Sequence, residues 1–517
     1  MLAGLVIALL AAADLGGPAG GVPIVSVRVV RFNVFDISDP STSAWPYRAA
    51  NALHVVTRER FIRSLLLFEE GDPLDPAALK ESERLLRATG VLQPVRISAR
   101  AVEGGAEVTV ETHDQWTLEA SIAYGRYGDR ENAGFTVSDD NLLGWGKTLE
   151  LEYRDRPERN TTMLRYLDPL LLGSRWRLSV ARTEASDGSE DALALEYPFF
   201  AFDTRRAGGV GWLREKQTDH LWSRGSKVVS GAALRRDFRL WAGRRIETGG
   251  DATRRLTLAA FGEAARFEDW RWQDGEPYPK PLDRDLAGFE VGWEHQTERW
   301  EVVQGFRALV RQEDVPLGPN WRVGLGVSLP AFGGDFERTL VRGDVVKGWL
   351  TGTRYTWLKA DVSGRFDRSD PNNVLARFEA GTAQTGSQGL RARVALDLGH
   401  DLDGDRQLTL GANVGLRGWE PDTFDGTSRA VANLEWRRQI TGEVLRLGVI
   451  GIEAFADFGA SWRARVGPDS EGLRADAGVG LLVDSTRASF VRIIRLEVVL
   501  PDDGSGPLFL LVGGPVF

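Results

Sequence analysis

The chain has 517 residues, 42% hydrophobic and 26% charged, with a formal net charge of -9 and no cysteine. That length and balance fit a folded protein of two or more domains and exclude a disordered chain. The acidic balance excludes a general nucleic-acid binder, which needs a concentrated basic surface, and the lack of cysteine excludes disulfide staples, thiolate metal sites and a cysteine nucleophile.

Residues 1 to 20 begin with the apolar run Leu2 to Leu10, then Ala11-Ala12-Ala13 and a Gly/Pro stretch. This is the pattern of a secretory signal peptide, although the basic residues expected ahead of the apolar core are missing. The alternative is a buried N-terminal helix, since the run is too short for a membrane anchor. No other segment offers a membrane helix.

Residues 22 to 113 predict a small α+β domain in the order strand, helix, helix, strand, strand. Val25, Val27 and Val29 alternate as a strand, and a polar connection through Pro40 and Pro46 follows. Phe61, Ile62, Leu65 and Leu66 mark one face of a helix starting near Thr57. A second helix runs from Pro76 to Thr89, with Asp75 as its cap and Gly90 at its exit. Val95, Ile97 and Ala99, then Val108 and Val110 beyond the Gly104-Gly105 turn, complete the domain. Glu69-Glu70 reads as a solvated turn.

From residue 116 to 517 the pattern changes to period two. Leu149, Leu151 and Tyr153 share one face against Glu150, Glu152 and Arg154; Trp176, Leu178 and Val180 oppose Arg175, Arg177 and Ser179; Ala432, Leu434 and Trp436 oppose Asn433, Glu435 and Arg437. Each segment therefore has an apolar and a charged surface. A half-exposed soluble sheet would look similar, but some 400 residues of strand behind an export signal predict a closed transmembrane antiparallel β-barrel. At about 25 residues per strand and turn it would have roughly sixteen strands, a polar lumen and aromatic girdles supplied by the 17 Trp.

Within this tract, Asn141, Gly144 and Gly146 in Ser138 to Gly146 suit a tight turn between strands. Asp401-Leu402-Asp403-Gly404-Asp405 has the flavour of a calcium loop, but Ala412 stands where a bidentate Glu is required, so it reads as a hairpin turn. Leu416-Arg417-Gly418-Trp419 precedes five strand-like segments, at about 429 to 440, 447 to 462, 473 to 486, 490 to 500 and 507 to 517. In the second of these, alternation places Glu453, Asp457 and Gly459 inward. Taken singly, Arg417 is a solvated loop residue and Asp457 a wet strand residue.

Together these segments resemble the BamA/TamA family of outer-membrane assembly proteins. Asn141-x-x-Gly144-x-Gly146 is similar to the family's periplasmic turn after the second barrel strand. Leu416-Arg417-Gly418-Trp419 resembles its Val-Arg-Gly-Phe/Tyr loop tip, and Phe455-Ala456-Asp457-Phe458-Gly459 its Phe-x-Asp-x-Gly strand motif. The resemblance implies that Arg417 folds back into the lumen to pair with Asp457, with Gly418 giving a sharp turn and Phe455 and Gly459 completing the lumenal strand motif. A guanidinium fork suits a carboxylate in such a site. Leu67 to Asp75, Glu83 to Leu86 and Val95 to Ile97 resemble a single POTRA domain, which in the family hangs in the periplasm and takes a client strand onto a sheet edge. A plain spacer is the alternative.

Pro507 to Phe517 ends in an aromatic residue, as outer-membrane barrels commonly do. Gly513, Gly514 and Pro515 pair poorly in a sheet, so the seam with the first strand, near Trp116 to Gly125, should be weak. These residues serve equally to blunt a strand end. The resemblance implies insertion or translocation of unfolded β-barrel clients at the outer membrane. The implied partners are outer-membrane lipids and periplasmic accessory proteins, with no nucleic acid and no cofactor. A channel, a lipid-handling barrel and a structural surface protein with long loops, for example Asp237 to Arg284, are the alternatives. No His-Glu-x-x-His or Gly-x-Ser-x-Gly motif occurs, so neither a metal site nor an enzyme is expected.

Overall fold

The computed structural model describes residues 21–127, 130–156, 159–367, 370–463, 472–489 and 493–513. The candidate signal peptide, 1–20, and Gly514, Pro515 and Phe517 of the C-terminal segment lie outside the described residues. Among the described residues no helix is long and apolar enough to cross a membrane, which says nothing of strands.

The N-terminal part is a small α+β unit: β1 (Ile24–Phe32), α1 (Trp45–Leu53), α2 (Glu59–Leu65), α3 (Pro76–Ala88), β2 (Leu92–Val102) and β3 (Gly105–Asp114). The sheet order is β1-β3-β2, with β1 parallel and β2 antiparallel to β3. Ile62 and Leu86 from the helices, with Leu66 just past the end of α2, pack on Ile24, Val27, Val108 and Val110. Asp75 caps α3 by accepting from the Ala77 N–H at 2.9 Å. Two expectations are corrected. The connection through Pro46 is helical, because proline is tolerated in the first turn, where its missing N–H is not needed. A register irregularity between Ile24 and Ser26 turns Val25 outward, so simple alternation misplaces it. Glu70 is more than a turn residue, since it accepts the Val27 N–H at 3.0 Å and closes the outer edge of β1. The outer edge of β2 has no strand partner among the described residues, and the Ile97 N–H on it is taken by Glu83.

The remainder is one closed antiparallel barrel. Among the described residues it has twenty strands, not sixteen, running from Leu118–Tyr127 to Leu508–Gly513. The expected repeat was too long because several connections are two residues, as at 186–187, 224–225, 250–251 and 352–353. The stretch from Asp237 to Arg284 is likewise not a loop: Ser226–Gly249 and Ala252–Trp272 are paired barrel strands, and the irregular part is 273–283. Downstream of the long 401–427 connection come Ser428–Gln439, Gly448–Trp462, Arg474–Ser485, Ile493–Pro501 and Leu508–Gly513. Leu434, Trp436, Leu481, Ile494 and Leu496 point outward from these strands and are exposed. Glu435, Arg437, Glu453, Asp457, Arg495 and Glu497 point inward and are buried. The barrel is thus apolar outside and charged inside, the inverse of a soluble fold.

Closure is uneven. The first strand, Leu118–Tyr127, pairs along its whole length with Arg130–Asp139. Against the last strand it is paired, among the described residues, only at Gly125 with Leu510 and Tyr124 with Leu511. Ile122 and Phe509, which flank this seam, are 77% and 72% exposed, the highest values for a large apolar side chain on a described barrel strand.

Candidate functional site

The lumen is entered from both ends. From the end opposite the small domain, the 401–427 connection folds inward as a two-stranded clip, Leu408–Leu410 with Phe424–Gly426. Leu410, Leu416, Trp419 and Phe424 gather with Val431 of the wall into a small apolar cluster. That cluster fixes the clip, and the clip aims Arg417.

Arg417 Nε and Nη2 donate to the two carboxylate oxygens of Asp457 at 2.7 and 3.1 Å. Its Nη1 donates to Glu497 at 3.1 Å and lies 3.6 Å from Glu435, while the guanidinium plane sits 3.4 Å from the Phe455 ring centroid. The cation is 5% exposed and Asp457 is fully buried, so the bidentate pair, the flanking carboxylates and the ring together replace the hydration that both charges lose. Asn433 Nδ2 bridges the wall to the loop, donating to Asp457 and to the Gly415 carbonyl at 2.8 Å each.

Gly418 has a different role from the sharp turn expected of it. Its N–H donates to Asp476 at 2.9 Å, and a Cβ there would lie 2.7 Å from the Asp476 Cβ. Close approach to the wall, not left-handed backbone, requires the glycine; the positive φ of this tip belongs to Gly415. Gly459 makes room in the same way, since a Cβ on it would lie 2.8 Å from Leu416.

From the small-domain end, the 298–319 connection forms a second inward hairpin, Trp300–Gln304 with Gln312–Pro316. Its sequence has the look of ordinary barrel strand and turn, and nothing local sets it apart. Asp484 accepts the Leu309 N–H at 2.7 Å, and Arg391 donates to the Gly305 and Phe306 carbonyls at 2.6 and 3.1 Å. Phe306 packs edge-on against Tyr355 and Trp357. Arg437 donates to the Arg307 carbonyl at 3.0 Å and closely pairs with Glu435, so one buried acid stands between the hairpin and Arg417. Burial disfavours the charge of Arg87 on α3, but Asp314 at 2.8 Å and Glu83 outweigh it and hold its pKa above the ordinary value. Arg311 adds bonds to the Ala488 and Gly90 carbonyls at 2.7 and 3.1 Å.

The 139–148 turn docks the small domain directly. Asn141 Oδ1 accepts the Gly146 N–H at 2.7 Å, and its Nδ2 donates to Thr57 at 2.8 Å. The Gly144 carbonyl accepts the Arg58 N–H at 2.8 Å. Gly144 and Gly146 have φ of 76° and 62°, and a Cβ on Gly146 would lie 2.1 Å from the Phe61 ring. Asp401 to Asp405 forms an ion-paired base to the long loop instead of a hairpin turn. Asp405 meets Arg284 at 2.8 Å and Arg235 at 2.9 Å, and Asp403 meets Arg365 at 2.5 Å. Among the described residues no group of His, Cys, Asp or Glu could hold a metal. Of the C-terminal residues singled out from sequence, Gly513 is described, and it pairs with Ile494, away from the seam.

The sequence matches no family model and no curated protein. Among solved structures it is similar to BamA from Haemophilus ducreyi lacking POTRA domains 1-3 (14% identity, 95% of this chain and 84% of that chain, TM-score 0.37). It is similar also to CdiB from Acinetobacter baumannii (10%, 95% and 73%, 0.43) and CdiB from Escherichia coli (14%, 95% and 76%, 0.43).

Proposed function

We propose that this chain is an outer-membrane barrel of the BamA/TamA kind that assists the insertion or translocation of client proteins, with residues 22–113 serving as its single POTRA-type domain on the periplasmic side. The observation that carries the reading is the seam. Among the described residues the first and last strands meet at two positions, beside exposed Ile122 and Phe509, whereas the first strand is bonded along its length to its other neighbour. An unpaired strand edge is a template for another strand.

The apolar exterior supports placement in lipid, where a closed barrel satisfies every backbone group internally. Under this reading the outer edge of β2, which has no strand partner among the described residues, receives an extended client segment in place of the Glu83 contact, the seam admits its strands, and the client's own pairing and lipid burial supply the driving energy. No cofactor is called for. A lumen filled from both ends by Arg417 and by the 298–319 hairpin favours this over a standing channel. The lock of Arg417 on Asp457 holds the wall adjoining the last strands in register while the seam moves.

The test is insertion of an unrelated unfolded barrel into liposomes holding the full chain, the chain lacking residues 22–113, or no protein. Faster insertion with the full chain than with either of the others supports the proposal. No acceleration by the full chain refutes it, and equal acceleration without the small domain reduces that domain to a spacer.

A further inference from the structure

Helix α1 is built inside out. It turns Tyr47 and Asn51 toward the small domain: Tyr47 packs edge-on against Phe35 with ring centroids 5.0 Å apart, and Asn51 bonds both the N–H and the carbonyl of Phe35 at 3.1 and 2.8 Å. Trp45, Ala49, Ala52 and Leu53, at the spacing of a single helical face, are left exposed, and no residue of the helix is buried. Trp45 is 79% and Leu53 74% exposed. An amphipathic helix normally buries its apolar side and solvates its polar side, so this face lacks its partner.

Its position says what the partner is. The Tyr47 hydroxyl donates to the Leu445 carbonyl at 2.9 Å, and Arg446 Nε donates to Ser41 at 3.2 Å, seating the helix on the 440–447 turn. That turn carries exposed Ile440, Leu445 and Leu447 and joins the two strands whose outward Leu434, Trp436 and Phe458 form the apolar belt. Helix α1 thus sits at the end of the barrel wall, beside the exposed apolar residues of this turn. Arg48, exposed and without an ion-pair partner among the described residues, stands beside it for a phosphate. A short helix with Trp and Leu on one side and a flanking cation suits the lipid interface.

We propose that α1 is an interfacial lipid-binding helix that rests on the periplasmic leaflet and holds the small domain against the bilayer. This rests on the membrane reading above. The place is apt. The Arg487 carbonyl accepts the Trp116 N–H at 2.6 Å, and Arg487 Nε donates to the Arg446 carbonyl at 3.1 Å, so the anchored turn abuts the point where the chain enters the first seam strand. A helix fixed there delivers a client segment to lipid beside the opening.

The cysteine-free chain makes the test direct. Single variants Leu53→Cys, Leu434→Cys and Ser98→Cys carry an environment-sensitive fluorophore, and the full chain is reconstituted in vesicles with lipids brominated near the headgroup or deep in the acyl chain. The proposal expects Leu53→Cys to be quenched mainly by shallow bromines, roughly 5–10 Å into the headgroup boundary. Leu434→Cys should be quenched by deeper ones and Ser98→Cys by neither. Adding Trp45→Asp should lift the quenching at position 53 while leaving it at 434. Quenching at 434 with none at 53 overturns this proposal and leaves the membrane reading standing. Quenching at neither position overturns both. A probe at 53 shielded from lipid and from aqueous iodide alike points to a protein partner and also overturns it.

Discussion

Replacing Arg417 should cost more than replacing the aspartate it pairs with, and the difference is fixed by the surroundings. Arg417→Ala leaves Asp457, Glu435 and Glu497, all buried, without their shared cation. Asp457→Ala leaves Arg417 still bonded to Glu497 and near Glu435, and removes one anion from an acid-rich wall. Breaking a buried pair by removing one partner costs about 3–5 kcal/mol. Arg417→Ala should sit at the upper end of that range and Asp457→Ala below its lower end. At 1.4 kcal/mol per tenfold, loop opening should rise on the order of a thousandfold in the first variant and by less than about a hundredfold in the second. The assay is amide hydrogen exchange across residues 411–420 in lipid nanodiscs, where the Gly418 N–H bonded to Asp476 reports docking. The double alanine variant should be better than the sum of the two, with a coupling of about 0.5–3 kcal/mol. Equal effects of the two single variants, or unchanged exchange in Arg417→Ala, would refute the reasoning. The Arg417→Asp, Asp457→Arg exchange should fail to rescue, because it sets a carboxylate against Glu435 and Glu497.

Gly418→Ala, which forces a Cβ toward Asp476, should speed exchange in the same loop without changing any charge. Gly146→Ala should destabilise docking of the small domain by about 1–3 kcal/mol from the left-handed backbone alone, read as faster protease release of residues 22–113; combining it with Phe61→Ala should relieve the added steric part. Replacing 299–318 by a short Gly/Ser turn should raise single-barrel conductance in planar bilayers, and Asp314→Arg, which faces Arg87 with a like charge, should raise it partway. Asp75→Ala should lower the stability of the small domain by about 1 kcal/mol through loss of the α3 cap, measured by urea unfolding.

Much of the barrel is readable because its physics is written at period two. Leu434 and Trp436 against Glu435 and Arg437 already assign the outside and the inside, and the same alternation carries Asp457 to the lumen. Arg417 needed a resemblance, since nothing local distinguishes an Arg-Gly loop that dips inward from one in solvent. Glu435, Glu497 and Asn433 were on the inward faces but could not be joined to Arg417 without the register between strands. The strand number failed because two-residue turns leave little punctuation, and the β1 bulge failed because one inserted residue inverts the pattern beyond it. The 298–319 hairpin was illegible for another reason: its strands look like barrel strands, and only the long-range partners Asp484, Arg391 and Arg87 show that it lies across the mouth. The inverted α1 was hidden by Pro46, which suggested a loop.

The central claim is that the meeting of the first and last strands opens during work. Tyr124 and Leu511 stand opposite each other in the register, so Tyr124→Cys with Leu511→Cys should form a disulfide in a chain with no other thiol. Client insertion into liposomes should then stop on oxidation and return on reduction, while either single variant inserts normally in both states. Undiminished insertion through an oxidised, fully crosslinked seam would contradict the account.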